Sequence, residues 1–266
     1  MKTYYYQILT VTAFFFLMVS CQTSTEKSTD TDSNATTDNA APAAAPEETS
    51  PQTPQELAQF AYGIDISKGQ GNEIDKLNAK TDSLSFIICK ATEGVTYTDP
   101  TFANNWATIP QKGFIRGAYH FYHTADDPTE QATFFVNTLK GLNKSDIAPV
   151  LDFESGGIAP GKTVEQIQEE LMVFLQAVEQ KSGRKPIIYT NVNIGNQYLN
   201  KPEFAAYALW IAYPAEVAEP ELPTAWASKG WSLWQKSWKY EIAGYTDDFD
   251  RYNGNLAELK QFIADY

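Results

Sequence analysis

The apolar positions of this chain alternate between short unbroken runs and helical spacings. Phe60–Ile66, Leu84–Lys90, Phe114–Tyr122, Ala148–Glu154, Pro186–Tyr189 and Ala208–Ala212 are nearly continuous apolar runs. Such runs predict strands covered on both faces. Ser232–Gln235 and Ala243–Phe249 are weaker strand candidates. Two segments between the runs carry helix signals. Asp127-Pro128-Thr129-Glu130 supplies an N-cap, a proline at the first helical position and a capping Glu. Behind it Ala132, Phe135, Val136 and Leu139 share a face. Thr163 and Gln166 form a second capping box, with Val164, Ile167, Leu171, Phe174, Leu175 and Val178 at helical spacing and Gly183 as the stop. The strand–helix–strand order predicts an α/β barrel-like domain with its site at the C-terminal strand ends. The later strands are joined by helix-poor segments, so the outer ring of helices is expected to be incomplete.

The first residues read differently. Lys2 and the apolar stretch Ile8–Val19 form a targeting signal, shorter than the roughly 20 apolar residues of a spanning helix. The stretch ends at Leu17-Met18-Val19-Ser20-Cys21, a site of the kind cut by lipoprotein signal peptidase. Residues 1–20 are expected to be the signal and Cys21 the acylated anchor; an ordinary secretory signal with an incidental Cys is the alternative. Gln22 favours sorting to an outer membrane, on its periplasmic or surface face. Residues 21–58 are rich in Ser, Thr, Asp, Ala, Pro and Glu, and are expected to form a disordered tether, stiffened by Pro42, Pro46, Pro51 and Pro54. One domain is expected over 59–266.

Charge narrows the partners. A formal net charge of −13 argues against nucleic acid, which needs a basic footprint. Aromatic residues make up 14% of the chain, enough for stacking platforms in a sugar cleft as well as a core. Cys89, inside Phe86-Ile87-Ile88-Cys89, reads as a small buried hydrophobe rather than a nucleophile.

The candidate chemistry sits at predicted strand ends. Asp65 follows Tyr62-Gly63-Ile64, Asp152 and Glu154 close the fourth run, and Asp248 lies in Asp247-Asp248-Phe249-Asp250. Residues two apart in a strand point to the same side, so Asp152 and Glu154 share a face opposite Phe153. Repulsion and burial there raise one carboxyl pKa, leaving an acid beside an ionised partner, as glycoside hydrolysis requires. A salt-bridge cluster, or a Mg²⁺ or Ca²⁺ site, is the alternative for D-x-E alone. Zinc fits poorly, because His120 and His123 are the two histidines and no Cys accompanies them. No G-x-S-x-G elbow supports a serine hydrolase.

The set of motifs is more specific than any member. Gly63-Ile64-Asp65-Ile66-Ser67, Lys90-Ala91-Thr92-Glu93-Gly94, Gly117-Ala118-Tyr119-His120-Phe121, Pro149–Glu154, Tyr189-Thr190-Asn191, Leu209–Tyr213, Leu233-Trp234-Gln235 and Asp248–Gly254 occur in one order. Over 62–256 the chain closely resembles the glycoside hydrolase family 25 lysozymes. That resemblance implies a flattened, TIM-like (β/α)5β3 barrel in one catalytic domain. It implies cleavage of the β-1,4 bond between N-acetylmuramic acid and N-acetylglucosamine. Carried over by motif, Glu154 is the general acid and Asp152 orients the substrate's 2-acetamido group, whose carbonyl attacks the anomeric carbon. Asp65 and Asp248 shape the charge around the pair. Tyr119, Tyr189, Trp210, Tyr213 and Trp234 occupy groove positions, with a core role as the alternative for each. His120 is expected to brace the barrel, and Asp250 to be the second acid of D-x-D-R-[FY]-N-G rather than a substitute for Asp248. Lys68-Gly69-Gln70 departs from the aromatic usual after Ser67, which predicts a thinner groove wall. No wall-binding repeats follow Tyr266, so targeting is expected to rest on the anchor. The full expectation is a monomeric enzyme of the cell envelope that acts on peptidoglycan glycan strands, with no cofactor and no metal. A glycan-binding lipoprotein without activity and a hydrolase of another N-acetylglucosamine polymer are the rival readings.

Overall fold

The computed structural model describes residues 54–71 and 73–266. The signal, Cys21 and the tether up to residue 53 lie outside the described residues. The end of the expected tether is ordered: Pro54–Gln59 forms a short helix, α1. Proline at its start, Glu56 in its first turn and Leu, Ala and Gln behind them favour that helix over coil.

Eight strands close a barrel. In chain order the strands are β1 (Tyr62–Ile66), β2 (Phe86–Glu93), β3 (Tyr97–Thr98), β4 (Ile115–Phe121), β5 (Val150–Asp152), β6 (Ile187–Asn191), β7 (Ala208–Ala212), β8 (Leu233–Ile242) and β9 (Tyr245–Tyr252). The sheet runs β1-β9-β8-β7-β6-β5-β4-β2, and a β1–β2 pairing closes it, with β3 as a short extra strand on β2. All pairs from β1–β2 round to β7–β8 are parallel, whereas β9 is antiparallel to both neighbours. The predicted α/β barrel is therefore present.

The outer helices are α2 (Phe102–Thr108), α3 (Pro128–Thr138), α4 (Val164–Ser182) and α5 (Val192–Tyr198). As the caps predict, the Asp127 side chain accepts from the backbone N–H groups of Thr129 and Glu130, and Thr163 and Gln166 close a capping box. Gly183 ends α4 in the left-handed region, at φ 70°. Between β7 and β8 only one helical turn, Thr224–Trp226, intervenes, so the outer ring is incomplete there.

Two strands differ from expectation. The weak candidates near the C-terminus form a long hairpin, β8 and β9, turning at Ala243 and Gly244, which both have positive φ. Beyond Gln235 one face of β8 meets solvent, so Lys236, Lys239 and Glu241 interrupt the apolar signal while Tyr240 and Ile242 stay buried.

The barrel wall is apolar on both sides. Ile64, Ile87, Cys89, Leu151, Ile188, Leu209 and Phe249 face out and pack with the helices. Phe86, Ile88, Val150, Ile187, Trp210 and Leu233 face in. The helix α6 (Leu256–Asp265) plugs the N-terminal strand ends with Leu259 and Ile263. Tyr266 holds it there, its hydroxyl donating to the Pro186 carbonyl (2.7 Å) and accepting from the Ala208 N–H (2.7 Å). That leaves the C-terminal strand ends open.

Candidate active site

Strand parity selects the side chains at the open end. On β5, Val150 faces in and Leu151 out, so Asp152 faces in; Phe153 packs outward against Tyr122 and Tyr198, and Glu154 turns in again just past the strand. The same alternation brings Asp65 inward between Ile64 and Ile66, and Asp248 inward beside Phe249. A cavity of about 390 Å³ results, lined by Asp65, Asp152, Glu154 and Asp248 with Lys90, Tyr119, Phe121, Tyr189, Trp210, Gln235 and Trp238. That volume suits a small-molecule or sugar site.

Glu154 is held by a tight loop. Residues Ser155–Gly157 form a single helical turn, and the Thr124 N–H donates to the Gly157 carbonyl (2.9 Å). A Cβ on Gly157 would lie 1.9 Å from the Tyr122 carbonyl oxygen, so only glycine allows this approach.

Burial and crowding raise the carboxyl pKa values of this lining. Burial first, and then Glu154, pushes the Asp152 carboxyl well above the ordinary range, against the pull of Lys90. Glu154 is raised by burial, again opposed by Lys90. Burial, then Glu154, pushes Asp248 up to about 6. Asp65 is raised well above its usual value by burial and then by Asp248, although Gln235 Nε2 donates to its Oδ2 at 2.6 Å. Lys90 is the cation of this lining: its Nζ lies 2.6 Å from Glu93 Oε2 and 4.7 Å from the centre of the Phe121 ring. One oxygen of Asp152, Oδ1, is buried without any hydrogen-bond partner. Among the described residues, no three His, Cys, Asp or Glu side chains converge as a metal site.

Of the expected aromatics, Tyr119, Tyr189 and Trp210 line the cavity, and Tyr189 meets Trp210 edge-on with centroids 4.8 Å apart. The other two do not. Trp234 is wholly buried in the outer core, its Nε1 donating to the Tyr213 carbonyl (2.8 Å), and offers no face to a ligand. Tyr213 packs against the same outer cluster. The reason is parity: Leu233 and Gln235 face in, so Trp234 between them faces out, and Ala212 likewise sends Tyr213 outward. Asp250 is buried outside the lining, where its Oδ1 accepts from Trp210 Nε1 (2.8 Å). His120 braces the barrel: Nδ1 meets Thr92 Oγ1 (2.8 Å), the ring stacks on Phe174, and burial pushes its pKa down to about 3. Cys89 is buried, and burial raises its thiol pKa. Lys68-Gly69-Gln70 does not reach the cavity lining.

Four lining residues escaped the sequence reading of the site: Lys90, Phe121, Gln235 and Trp238. The first three carried a signal, since each lies two positions, or an even number, from an inward-facing residue on its own strand. Gln235 is the hub of the floor. Its Oε1 accepts from Tyr189 Oη (2.9 Å) and Trp238 Nε1 (3.0 Å), while its Nε2 serves Asp65. The amide orientation follows from the chemistry, because a carboxylate needs the NH₂ and two donors need the carbonyl oxygen.

Known proteins share this fold and sequence. The family model for glycosyl hydrolases family 25 matches residues 64–245. Lysozyme M1 of Streptomyces globisporus is 31% identical over 207 residues, covering 74% of this chain and 69% of that protein. The N,O-diacetylmuramidase of a Chalaropsis species is 28% identical, over 76% of this chain and 98% of its own. The crystal structure of the bacterial lysozyme from Streptomyces coelicolor superimposes with a TM-score of 0.70 at 29% identity, covering 77% of this chain and 97% of that one. With a family match across most of the barrel and a carboxylate cavity at its open end, this chain belongs to glycosyl hydrolase family 25 and is a glycoside hydrolase.

Proposed function

We propose that the protein is a muramidase that cuts the β-1,4 bond between N-acetylmuramic acid and N-acetylglucosamine in peptidoglycan. The observation that carries the reading is the cavity at the open strand ends, lined by Glu154 and Asp152 together with Asp65 and Asp248. Asp152 faces that cavity, and the N–H of a 2-acetamido group is a donor suited to its carboxyl.

Glu154, whose pKa burial raises, donates its proton to the glycosidic oxygen as the bond to C1 breaks. The acetamido carbonyl oxygen attacks C1 from the opposite face, and a bicyclic oxazolinium forms. Asp152 accepts the acetamido N–H and steadies the positive charge that develops there. Water, losing its proton to Glu154, then attacks C1 and reopens the ring, so the anomeric configuration is retained. This route replaces the carboxylate nucleophile of most retaining enzymes. Asp65 and Asp248 set the field, and Lys90 favours ionised Asp152. The similarity to muramidases named above supports the bond assignment.

Reducing-end analysis of digested peptidoglycan by mass spectrometry tests it. The expected products end in N-acetylmuramic acid; products ending in N-acetylglucosamine would overturn the assignment, and no cleavage would favour a glycan-binding role. We place the enzyme at the cell envelope, tethered by acylated Cys21. The support is the residue pattern at 17–21 alone. Cys21→Ser is expected to shift the protein from the membrane to the soluble fraction, and continued membrane retention would contradict the anchor.

A further inference from the structure

Trp238 is the unexplained residue of the cavity. Its side chain is 57% exposed, and of the large exposed hydrophobics among the described residues it is the one that lines the carboxylate cavity. The backbone explains how it gets there. The β8–β9 ladder slips between Gln235 and Ser237 and again between Ser237 and Tyr240, so Trp238 lies in an irregular stretch. Such bulges re-aim side chains beside sites. The indole is also anchored. Its Nε1 donates to Gln235 Oε1 at 3.0 Å, and Gln235 is only 2% exposed and tied to both Tyr189 and Asp65. The ring's one polar atom is therefore satisfied, and the solvent-facing part of the indole is apolar surface with no role in the core.

We propose that Trp238 is a stacking platform for a hexopyranose ring of the glycan strand, at a position next to the sugar held by Asp152 and Glu154. This rests on the muramidase reading. A pyranose fits the chemistry better than a charged ligand. Its axial C–H face lies on an indole, its hydroxyls suit a rim of hydrogen-bonding groups, and the four carboxyls of the lining repel anions. Trp238 and Glu154 line the same cavity at the mouth of the barrel. A ring on the indole is thus a neighbour of the ring being cut. The Gln235 tether holds the platform rigid before the glycan arrives, which limits the ordering cost of binding.

Steady-state kinetics of Trp238→Ala and Trp238→Phe on soluble peptidoglycan fragments, in the full chain, test the platform. Trp238→Ala is expected to raise KM about tenfold, the scale of one lost stacking contact, with a smaller change in kcat. Trp238→Phe is expected to recover most of the loss, because a ring remains. An unchanged KM in Trp238→Ala, or a loss confined to kcat, would overturn the proposal. Quenching of tryptophan fluorescence by N-acetylglucosamine oligomers gives a second readout independent of cleavage. It is expected to diminish in Trp238→Ala; equal quenching and affinity in both proteins would also overturn the platform. Should the wild-type protein bind these oligomers yet cut no peptidoglycan, the muramidase reading fails, while the quenching comparison still decides the platform.

Discussion

Glu154→Gln is expected to lower muropeptide release from purified peptidoglycan by at least about a hundredfold, the usual scale for losing a general acid. The amide keeps the shape of the side chain in its Ser155–Gly157 loop but has no proton acidic enough for the leaving oxygen. Binding should persist, because the lining aromatics and Asp152 are untouched. The pH profile adds a second check. The chemistry needs Glu154 protonated, and burial raises its pKa above the ordinary value. Wild-type activity is therefore expected to fall as pH rises past that raised pKa. The Gln variant should lose that alkaline limb. Wild-type-like release by Glu154→Gln would remove Glu154 from the acid role.

Asp152→Asn is expected to cut kcat by roughly tenfold to a hundredfold, in keeping with the loss of a hydrogen bond to a charged group. The substitution preserves volume in a buried position but removes the negative charge that faces the developing oxazolinium. The distinguishing measurement uses peptidoglycan from which the acetamido groups have been removed. The wild-type enzyme should lose most of its activity on this substrate, since the internal nucleophile is gone. In Asp152→Asn the two substrates should differ much less, because the residue that exploits the acetamido group is absent. An Asn variant that still discriminates as strongly as wild type would refute the acetamido role of Asp152.

The carboxyl pair and its parity were legible in the sequence. Asp152 and Glu154 flank Phe153 at the end of an apolar run, and a strand places residues two apart on one side wherever it lies. The caps at Asp127 and Thr163 were equally local, since a cap needs only the side chain and the next three backbone groups. The resemblance to the family then supplied the ring of eight strands.

Trp234 and Tyr213 show where local reading stops. In a soluble sheet with one wet face, polarity marks which residues point outward. A barrel wall has apolar neighbours on both sides, so Leu233 and Trp234 look alike in sequence although one fills the interior and the other the outer layer. Closure of the barrel alone decides which is which. Trp238 was hidden for another reason: it sits among Lys236, Ser237 and Lys239, and its aim depends on register slips against β9 that no single-strand pattern encodes.

By itself, the sequence determined the six apolar strands, the caps at Asp127 and Thr163 and the shared face of Asp152 and Glu154, because these follow from interactions within a few residues of one another. The tertiary structure decided the membership and the electrostatics of the cavity. Gln235 reaches Asp65 across 170 positions of sequence, and Lys90, Glu154 and Asp248 meet only when β2, β5 and β9 are rolled into one barrel. Burial and mutual repulsion, which raise the pKa values of these carboxyls, act only once that enclosure has formed.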